Sequence, residues 1–357
     1  MLNKVLYNFR LNPSDCKIQP FGSGLINHTF KISGNEGDAY ILQQINGNVF
    51  KSPEQIAQNL ALLQSYFTKT NPGYLFVAPL PTISGQFLYK TKAGEFYRLL
   101  PFIKGSQTHN VINEEKEAFE AAKQFGKFTF LLKDFEIDTL EYTLPDFHNL
   151  KLRFEQFSDA LQNAQHARLE RTLDEVKEVY LYHYILQTYN QLIDDKEIQL
   201  RVIHHDTKIS NVLFDDQQNG LCVIDLDTVM PGYYLSDVGD MMRTYLSPAN
   251  EEETDLSKIG IREDFFIAIY KGYMAEMGKA LTETEKKHFI FSGKLMIYMQ
   301  AIRFLTDFLN NDIYYETKYP DHNLIRAKNQ FKLLEEYVKA EEKFSLLITK
   351  AQETVSH

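Results

Sequence analysis

Between residues 204 and 227 the chain gathers the side chains equipped for chemistry: His204-His205-Asp206-Thr207-Lys208-Ile209-Ser210-Asn211, then Ile224-Asp225-Leu226-Asp227. Phosphoryl transfer asks a protein for a carboxylate beside the incoming hydroxyl, ligands for a metal across the triphosphate, and positive charge where the leaving charge collects. All three types are present. Asp206 is the candidate acceptor of the proton, Lys208 the candidate contact to a γ-phosphate, and Asn211, five positions after the acid, can turn back toward a metal. VLFD and LCVID read as a β-hairpin around Asp216, Asn219 and Gly220, which returns Asp225 to the end where Asn211 lies. One Mg²⁺ shared by Asn211 and Asp225 suits an ion that takes few carboxylates and keeps water and phosphate in its shell. A plain polar turn would account for Asp206 and Asn211 separately, but not for their joint offsets with Lys208 and Asp225. Asp227, on the same strand side as Asp225, is a candidate second metal or substrate ligand.

Other residues have plainer readings. His204 serves the loop better as a buttress than as an acid or base, and the sequence assigns His205 no role. Asp237, in YLSDVGDMMR, is the expected N-cap of a helix starting near Val238. Arg303 falls within an apolar helical run, where an unpaired guanidinium is costly and a partner is required. Asp307, one turn along, is one candidate partner; hydroxyls of a bound acceptor are the other.

Positioning these groups takes two kinds of architecture. From Ile18 to about Ile103 the chain reads as short β-segments, HTFKISG, DAYILQQI, QFLYKT and EFYRLLPFI, broken by glycines. Among them SPEQIAQNLALLQSYFTKT reads as a helix, with Ile56, Leu60, Leu63 and Phe67 on one face and Asn-Pro-Gly as its stop. Beyond Gly105 amphipathic helices take over, as in INEEKEAFEAAKQFGKFTFLL and TLDEVKEVYLYHYILQTYNQLIDD, and the clear strand signals there are LRVIH and GLCVIDL. Helical patterning from Glu263 to about Ala351 is interrupted by TDFLNNDIYYETKYPDHN, too rich in Asn and Asp for a helix interior. The expected fold is therefore α+β and bilobal. Residues 1–104 form an antiparallel sheet lobe with one inserted helix, and residues 105–357 a larger, mainly helical lobe.

HHDTKISN resembles the protein-kinase catalytic loop H-x-D-x-x-x-x-N, and VIDLD follows as the metal-binding acid does there. GSGLINHTFKI, YILQQINGNVF, YRLLPFI, VIDLDTVMPG and RFLTDFLNNDIYY extend the likeness in order along nearly the whole chain. Together they look more like the aminoglycoside phosphotransferase and choline kinase group, and within it like the N-acetylhexosamine 1-kinases. The resemblance implies a protein-kinase-like fold, ATP and Mg²⁺ as cofactors, and phosphorylation of the anomeric hydroxyl of N-acetylglucosamine or N-acetylgalactosamine. It makes Asp206 the catalytic base, Asn211 and Asp225 the metal ligands, and Arg303 and Tyr314 contacts to the sugar. Asp237 becomes a support for the catalytic loop's backbone. Gly22, Ser23, Gly24 and Asn27 fall in a glycine-rich flap over the phosphates, where no Cβ blocks the approach of backbone amides. Leu100 and Phe102 fall at the adenine hinge. Gln43, or its neighbour Gln44, stands where protein kinases place a lysine on the phosphates; a neutral amide supplies no charge, so Glu54 in the inserted helix is not given a lysine partner.

Bulk properties narrow the classes further. At 357 residues, two lobes are more natural than one core. The net charge of −10, with no cluster of Lys and Arg, argues against a nucleic-acid partner. Cys16 and Cys222 have no metal or redox spacing, which fits a reducing cytoplasm, and no run of about 18 apolar residues suggests a membrane span or signal segment. Related sites act on choline, homoserine, methylthioribose or aminoglycosides, so the small-molecule acceptor is not fixed by the fold. A nucleotide-binding module that transfers nothing is a different class, which the intact Asp206, Asn211 and Asp225 oppose. A sugar hydrolase with paired acids leaves the spacing of Lys208 and Asn211 without a purpose. Oligomeric state is left open.

Overall fold

The computed structural model describes residues 2–22, 26–35 and 37–355. Its N-terminal part is a five-stranded antiparallel sheet of order β1-β2-β3-β5-β4, with β1 Cys16–Pro20, β2 His28–Gly34, β3 Ala39–Ile45, β4 Tyr89–Lys90 and β5 Phe96–Pro101. Alternation along β2, β3 and β5 turns Ile32, Leu42, Tyr97 and Leu99 to one face, where α1 (Leu2–Asn8) and the residue after it cover them with Val5, Leu6 and Phe9. Between β3 and β4 comes α2 (Pro53–Thr70), with Pro53 in its first turn and its end just before Pro72 and Gly73. Its buried stripe of Ile56, Leu60, Leu63 and Phe67 belongs to the core of the helical part, not to the core under the sheet.

The helical part comprises α3 Glu115–Leu131, α4 Leu150–Asn163, α5 His166–Glu170, α6 Leu173–Leu181, α7 Tyr184–Asp194, α8 Tyr234–Tyr245, α9 Glu263–Met277, α10 Glu283–Lys287, α11 Phe289–Leu309, α12 His322–Lys339 and α13 Glu341–Val355. Helix α11 is apolar on nearly every side because it runs through the core, against α8, α12 and α4. Two small ribbons carry the functional loops. β6 Leu200–Ile203 pairs with β9 Met230–Tyr233, and β7 Val212–Phe214 pairs with β8 Gly220–Val223, all antiparallel. The architecture is the α+β arrangement expected, an antiparallel sheet followed by a larger helical part.

Three boundaries differ from expectation. The helix expected across residues 172–195 is two, because the backbone at Tyr182 leaves helical geometry (ψ 13°) between α6 and α7. Leu309, not the start of TDFLNN, ends α11. Helix α8 starts at Tyr234, so Asp237 lies inside its first turn and is not its N-cap.

The crossing of α8 over α11 is close enough to need a glycine. A Cβ at Gly239 would stand 2.1 Å from the Ser292 carbonyl oxygen and 2.4 Å from Met296 Cγ. Gly239→Ala is therefore expected to force the helices apart and cost about 1–3 kcal/mol, read as a lowered denaturation midpoint in urea. An unchanged midpoint would mean that the two helices are not held this tightly.

Candidate active site

The catalytic loop hangs from α8. Chain leaving β6 meets the buried Asp237 carboxylate, which accepts the backbone N–H of His204 (2.9 Å) and of His205 (2.7 Å). His205 takes a left-handed backbone conformation (φ 67°). Next, the Thr207 amide donates to Asp240 Oδ2 (2.9 Å), its hydroxyl to the Asp237 carbonyl (2.8 Å), and the Tyr245 hydroxyl to the Thr207 carbonyl (2.5 Å). The His204 ring is a brace: Nδ1 accepts the Asp206 amide at 3.3 Å, which leaves Nε2 to donate to the Ile224 carbonyl at 2.8 Å. His205 is buried, and that burial drives its pKa down to about 3, so it sits as a neutral ring with Nδ1 3.1 Å from the Thr228 carbonyl.

Asp206, on this suspended loop, stands 3.1 Å from Lys208 Nζ and accepts the Asn211 amide group at 3.0 Å. Burial alone would raise its pKa, but the Lys208 ammonium and the hydrogen bonds from Lys208 and Asn211 outweigh it and hold the carboxyl below its ordinary value. Lys208 is held protonated in return by the Asp206 charge. Asn211 spends its Nδ2 on Asp206, leaving Oδ1 with no hydrogen bond among the described residues. The Ile224 amide donates to the Asn211 carbonyl at 2.9 Å, so the exit of β8 sets Asp225 beside Asn211, as the hairpin reading expected. Asp225 is left-handed (φ 60°, ψ 57°) and open to the cleft. Surrounding protein, and then the negative charge of Asp227 and Asp206, push its pKa up to about 7. A carboxyl that disfavours its own charge next to a free amide oxygen fits a divalent cation. Among the described residues no cluster of three His, Cys, Asp or Glu could hold an ion unaided, so two protein donors would need phosphate and water to complete the shell.

On the sheet side, Gly22 has φ 79°, a conformation that favours glycine; Ser23 and Gly24 lie outside the described residues. Asn27 donates from Nδ2 to Asp227 Oδ2 (2.9 Å) and accepts the Asn46 amide on Oδ1 (3.0 Å). Gln43 accepts the Arg98 Nε–H at 2.9 Å and donates to the Thr29 hydroxyl at 3.2 Å. Leu100 packs with Val77, Ile103, Leu213, Cys222 and Ile224, an apolar patch joining β5 to the β7–β8 hairpin. The Phe102 ring carries Lys31 Nζ 3.8 Å from its centre.

Arg303 and Tyr314 lie in a different place from Asp227. They line a cavity of about 430 Å³ together with Arg153, Asp159, Asn163 and Tyr315. Asp307, one of the two candidate partners of Arg303, instead accepts the backbone N–H of Tyr314 and Tyr315 and the Asn323 amide group. Arg303 donates to Gln300 (3.2 Å) and lies among the rings of Phe147, Tyr314 and Tyr315. Phe147 stacks on His148, which is 5.5 Å from the His205 ring, so a chain of rings leads from the cavity to the catalytic loop. Asp227 is buried and fully engaged, by Arg98 and Asn27 on its carboxylate and by the Thr143 hydroxyl on its carbonyl (2.8 Å).

A family model described as APH, phosphotransferase enzyme family, matches residues 17–260. The chain belongs to that family. Solved structures with the same fold include a microcompartment-associated aminopropanol kinase, at TM-score 0.64 and 14% identity over 96% of this chain and 97% of that one. An amicoumacin kinase bound to AMP-PNP and Ca²⁺ superposes at TM-score 0.62, with 14% identity over 94% and 92%. A choline/ethanolamine kinase family protein from Mesorhizobium loti does so at 0.56, with 15% identity over 98% of each. This member of the phosphotransferase family is a small-molecule kinase that uses ATP.

Several residues of this phosphotransferase escaped the sequence reading. Arg98 and Asp240 had no local signal, since their partners, Asp227 and Thr207, are far away in the chain. Leu213 carried no signal either, since its apolar neighbours Val77 and Leu100 come from distant segments. Asp237→Asn tests the suspension. One carbonyl oxygen cannot replace two, so a backbone N–H is left facing an NH₂. A loss of about 1–3 kcal/mol in stability is expected, together with a fall in kcat exceeding any change in KM for ATP. Full activity in a stable variant would mean that the loop keeps its shape without α8.

Proposed function

We propose that this phosphotransferase moves the γ-phosphoryl group of ATP to the anomeric hydroxyl of an N-acetylhexosamine, N-acetylglucosamine or N-acetylgalactosamine, giving the 1-phosphate. The observation that carries the acceptor class is the cavity lined by Arg153 and Arg303, which the rings of Phe147 and His148 connect to His205. Neither Arg153 nor Arg303 forms an ion pair with a carboxylate among the described residues, and Arg153 Nε has no hydrogen-bond partner there. With Asp159 and Asp307 also in the lining, the two guanidiniums leave no net charge to draw in a cationic acceptor such as an amino alcohol or a quaternary amine, and they offer donors to the hydroxyl and amide oxygens of a neutral sugar. The ordered likeness of RFLTDFLNNDIYY to the N-acetylhexosamine kinases supports the same choice.

In this reading ATP lies between residues 1–104 and 105–357, with adenine against Leu100 and Leu213 and the phosphates under the flap. Asp206 accepts the proton of the sugar O1 as that oxygen attacks the γ-phosphorus, and the bond to the β–γ bridging oxygen breaks to release ADP. An anomeric hydroxyl is more acidic than an ordinary alcohol, so a carboxylate with a low pKa is base enough. Lys208 offsets charge on the transferring group. Asn211 and Asp225 would hold Mg²⁺, which neutralises the phosphates when bound. The unpaired Cys16 and Cys222 support a cytoplasmic, reducing setting.

Mg²⁺-dependent ADP release with a panel of acceptors tests the proposal. Turnover is expected with N-acetylglucosamine or N-acetylgalactosamine and not with choline or 1-amino-2-propanol; the reverse pattern would overturn the acceptor. Asp206→Asn is expected to lower kcat about 10²- to 10⁴-fold with ATP binding retained. The metal carries its own pH signature. With the Asp225 pKa pushed up to about 7, a cation that binds its carboxylate below that pH has to displace a proton. The half-saturating Mg²⁺ concentration is therefore expected to rise about tenfold per pH unit below 7 and to level off above it. A flat profile from pH 5 to 8, by calorimetric titration, would contradict this coupling between the Asp225 proton and the cation.

A further inference from the structure

Strand β3 brings no cation to the cleft. Gln43 and Gln44 occupy the candidate lysine positions, and Glu54 on α2 pairs instead with the exposed Lys90 at 3.5 Å. A cation is nonetheless present one strand away. Arg98 on β5 lies directly across the ladder from Gln43, gives its Nε–H to the Gln43 carbonyl oxygen at 2.9 Å, and turns its NH1 to Asp227. Asp227 follows Asp225 by two residues, on the short 3₁₀ turn that the left-handed Asp225 opens. Its second oxygen takes the Asn27 amide group at 2.9 Å, from the base of the flap, and Asn27 in turn is fixed by the Asn46 amide at the end of β3. One carboxylate thus ties β5, β3 and the flap to the turn that carries the metal acid.

We propose that the Arg98–Asp227 ion pair fastens the metal turn to the sheet, and that Arg98 is the positioning residue that does here what a β3 lysine and a helix glutamate do elsewhere. It rests on reading Asn211 and Asp225 as the metal donors. Arg98 and Asp227 side chains are only 4% and 2% exposed, so Arg98 acts through Asp227 and not by touching phosphate. A buried pair gains little stability over apolar residues of the same size, but its geometry is demanding. A guanidinium reaches Gln43 and Asp227 at once because its donors diverge from a rigid plane; an ammonium is a point charge and reaches one of them well. The pair is therefore suited to setting the orientation of the 225–227 turn, on which the direction of the Asp225 carboxylate depends.

The test needs no acceptor. Affinity of the full chain for a non-hydrolysable ATP analogue is measured in Mg²⁺ and in EDTA, beside the melting temperature, for the wild type and for Arg98→Lys, Arg98→Gln and Asn27→Ala. Wild-type affinity is expected to be tighter with Mg²⁺. Arg98→Lys and Arg98→Gln are expected to lose that metal-dependent gain by about tenfold or more, the loss typical when a ligand's support is removed, while the EDTA affinity moves less than about twofold. Lys retains more of the gain than Gln. A pair that merely stabilises the fold would lower the melting temperature and leave the ratio of the two affinities unchanged, which overturns the proposal. Should both Arg98 variants fail to fold, Asn27→Ala decides, since it frees one side of Asp227 without burying a lone charge: a smaller loss of the same ratio supports the strut, and no loss overturns it. A wild type indifferent to Mg²⁺ would remove the metal reading itself, whereas a metal-dependent wild type matched by its variants removes the strut alone.

Discussion

Two adjacent backbone N–H groups, of His204 and His205, end on one buried carboxylate, Asp237, and the rest of the site takes its position from that contact. Neighbouring amides point the same way only where the chain turns, and the left-handed His205 is that turn. Burial pushes the Asp237 pKa up to about 6, while the two amide donors work in the opposite direction, so the ion persists because it is spoken for. The support is rigid in turn: α8 meets α11 through Gly239, with no room for a side chain. A loop so restrained fixes the backbone from which Asp206 projects. Preorganisation of this kind removes reorganisation from the chemical step.

The acids of the site differ because their surroundings differ. Asp206 has a lysine and an amide and sits below the usual carboxylate range; Asp225, pressed first by the surrounding protein and then by two neighbouring acids, sits above it. Environments that drive paired carboxyls apart suit them to different tasks, and in the proposed reaction Asp206 takes a proton while Asp225 holds a cation. The acids at Asp227 and Asp237 are structural, each saturated by donors from other segments.

How much of this was legible from sequence follows from distance along the chain. Asp206, Lys208, Asn211 and Asp225 belong to one loop and one hairpin, whose offsets fix their relations before tertiary structure is known, and the structure brings them together. Strands β2, β3 and β5 and helices α2 and α3 were readable from alternation and helical spacing. Arg98 was not, because nothing near EFYRLLP announces an acid 129 positions later. The Arg303–Asp307 pair, one of the two partners considered for Arg303, is absent for the opposite reason. Helical spacing made it natural, but backbone N–H groups of the following loop claimed the carboxylate first. Asp237 illustrates a third case: a cap and an interior acid look alike in sequence, and only the start of α8 at Tyr234 separates them.

The central claim is that Asn211 and Asp225 converge on one divalent ion while Asp206 stays free to face the acceptor. A crystal of the protein grown with Mn²⁺ and a non-hydrolysable ATP analogue tests it by anomalous scattering from the metal. The expected result is a Mn²⁺ peak bonded to Asn211 Oδ1, an Asp225 carboxylate oxygen and phosphate oxygens, with Asp206 outside its shell. A metal bound to the triphosphate with neither Asn211 nor Asp225 among its ligands would contradict it.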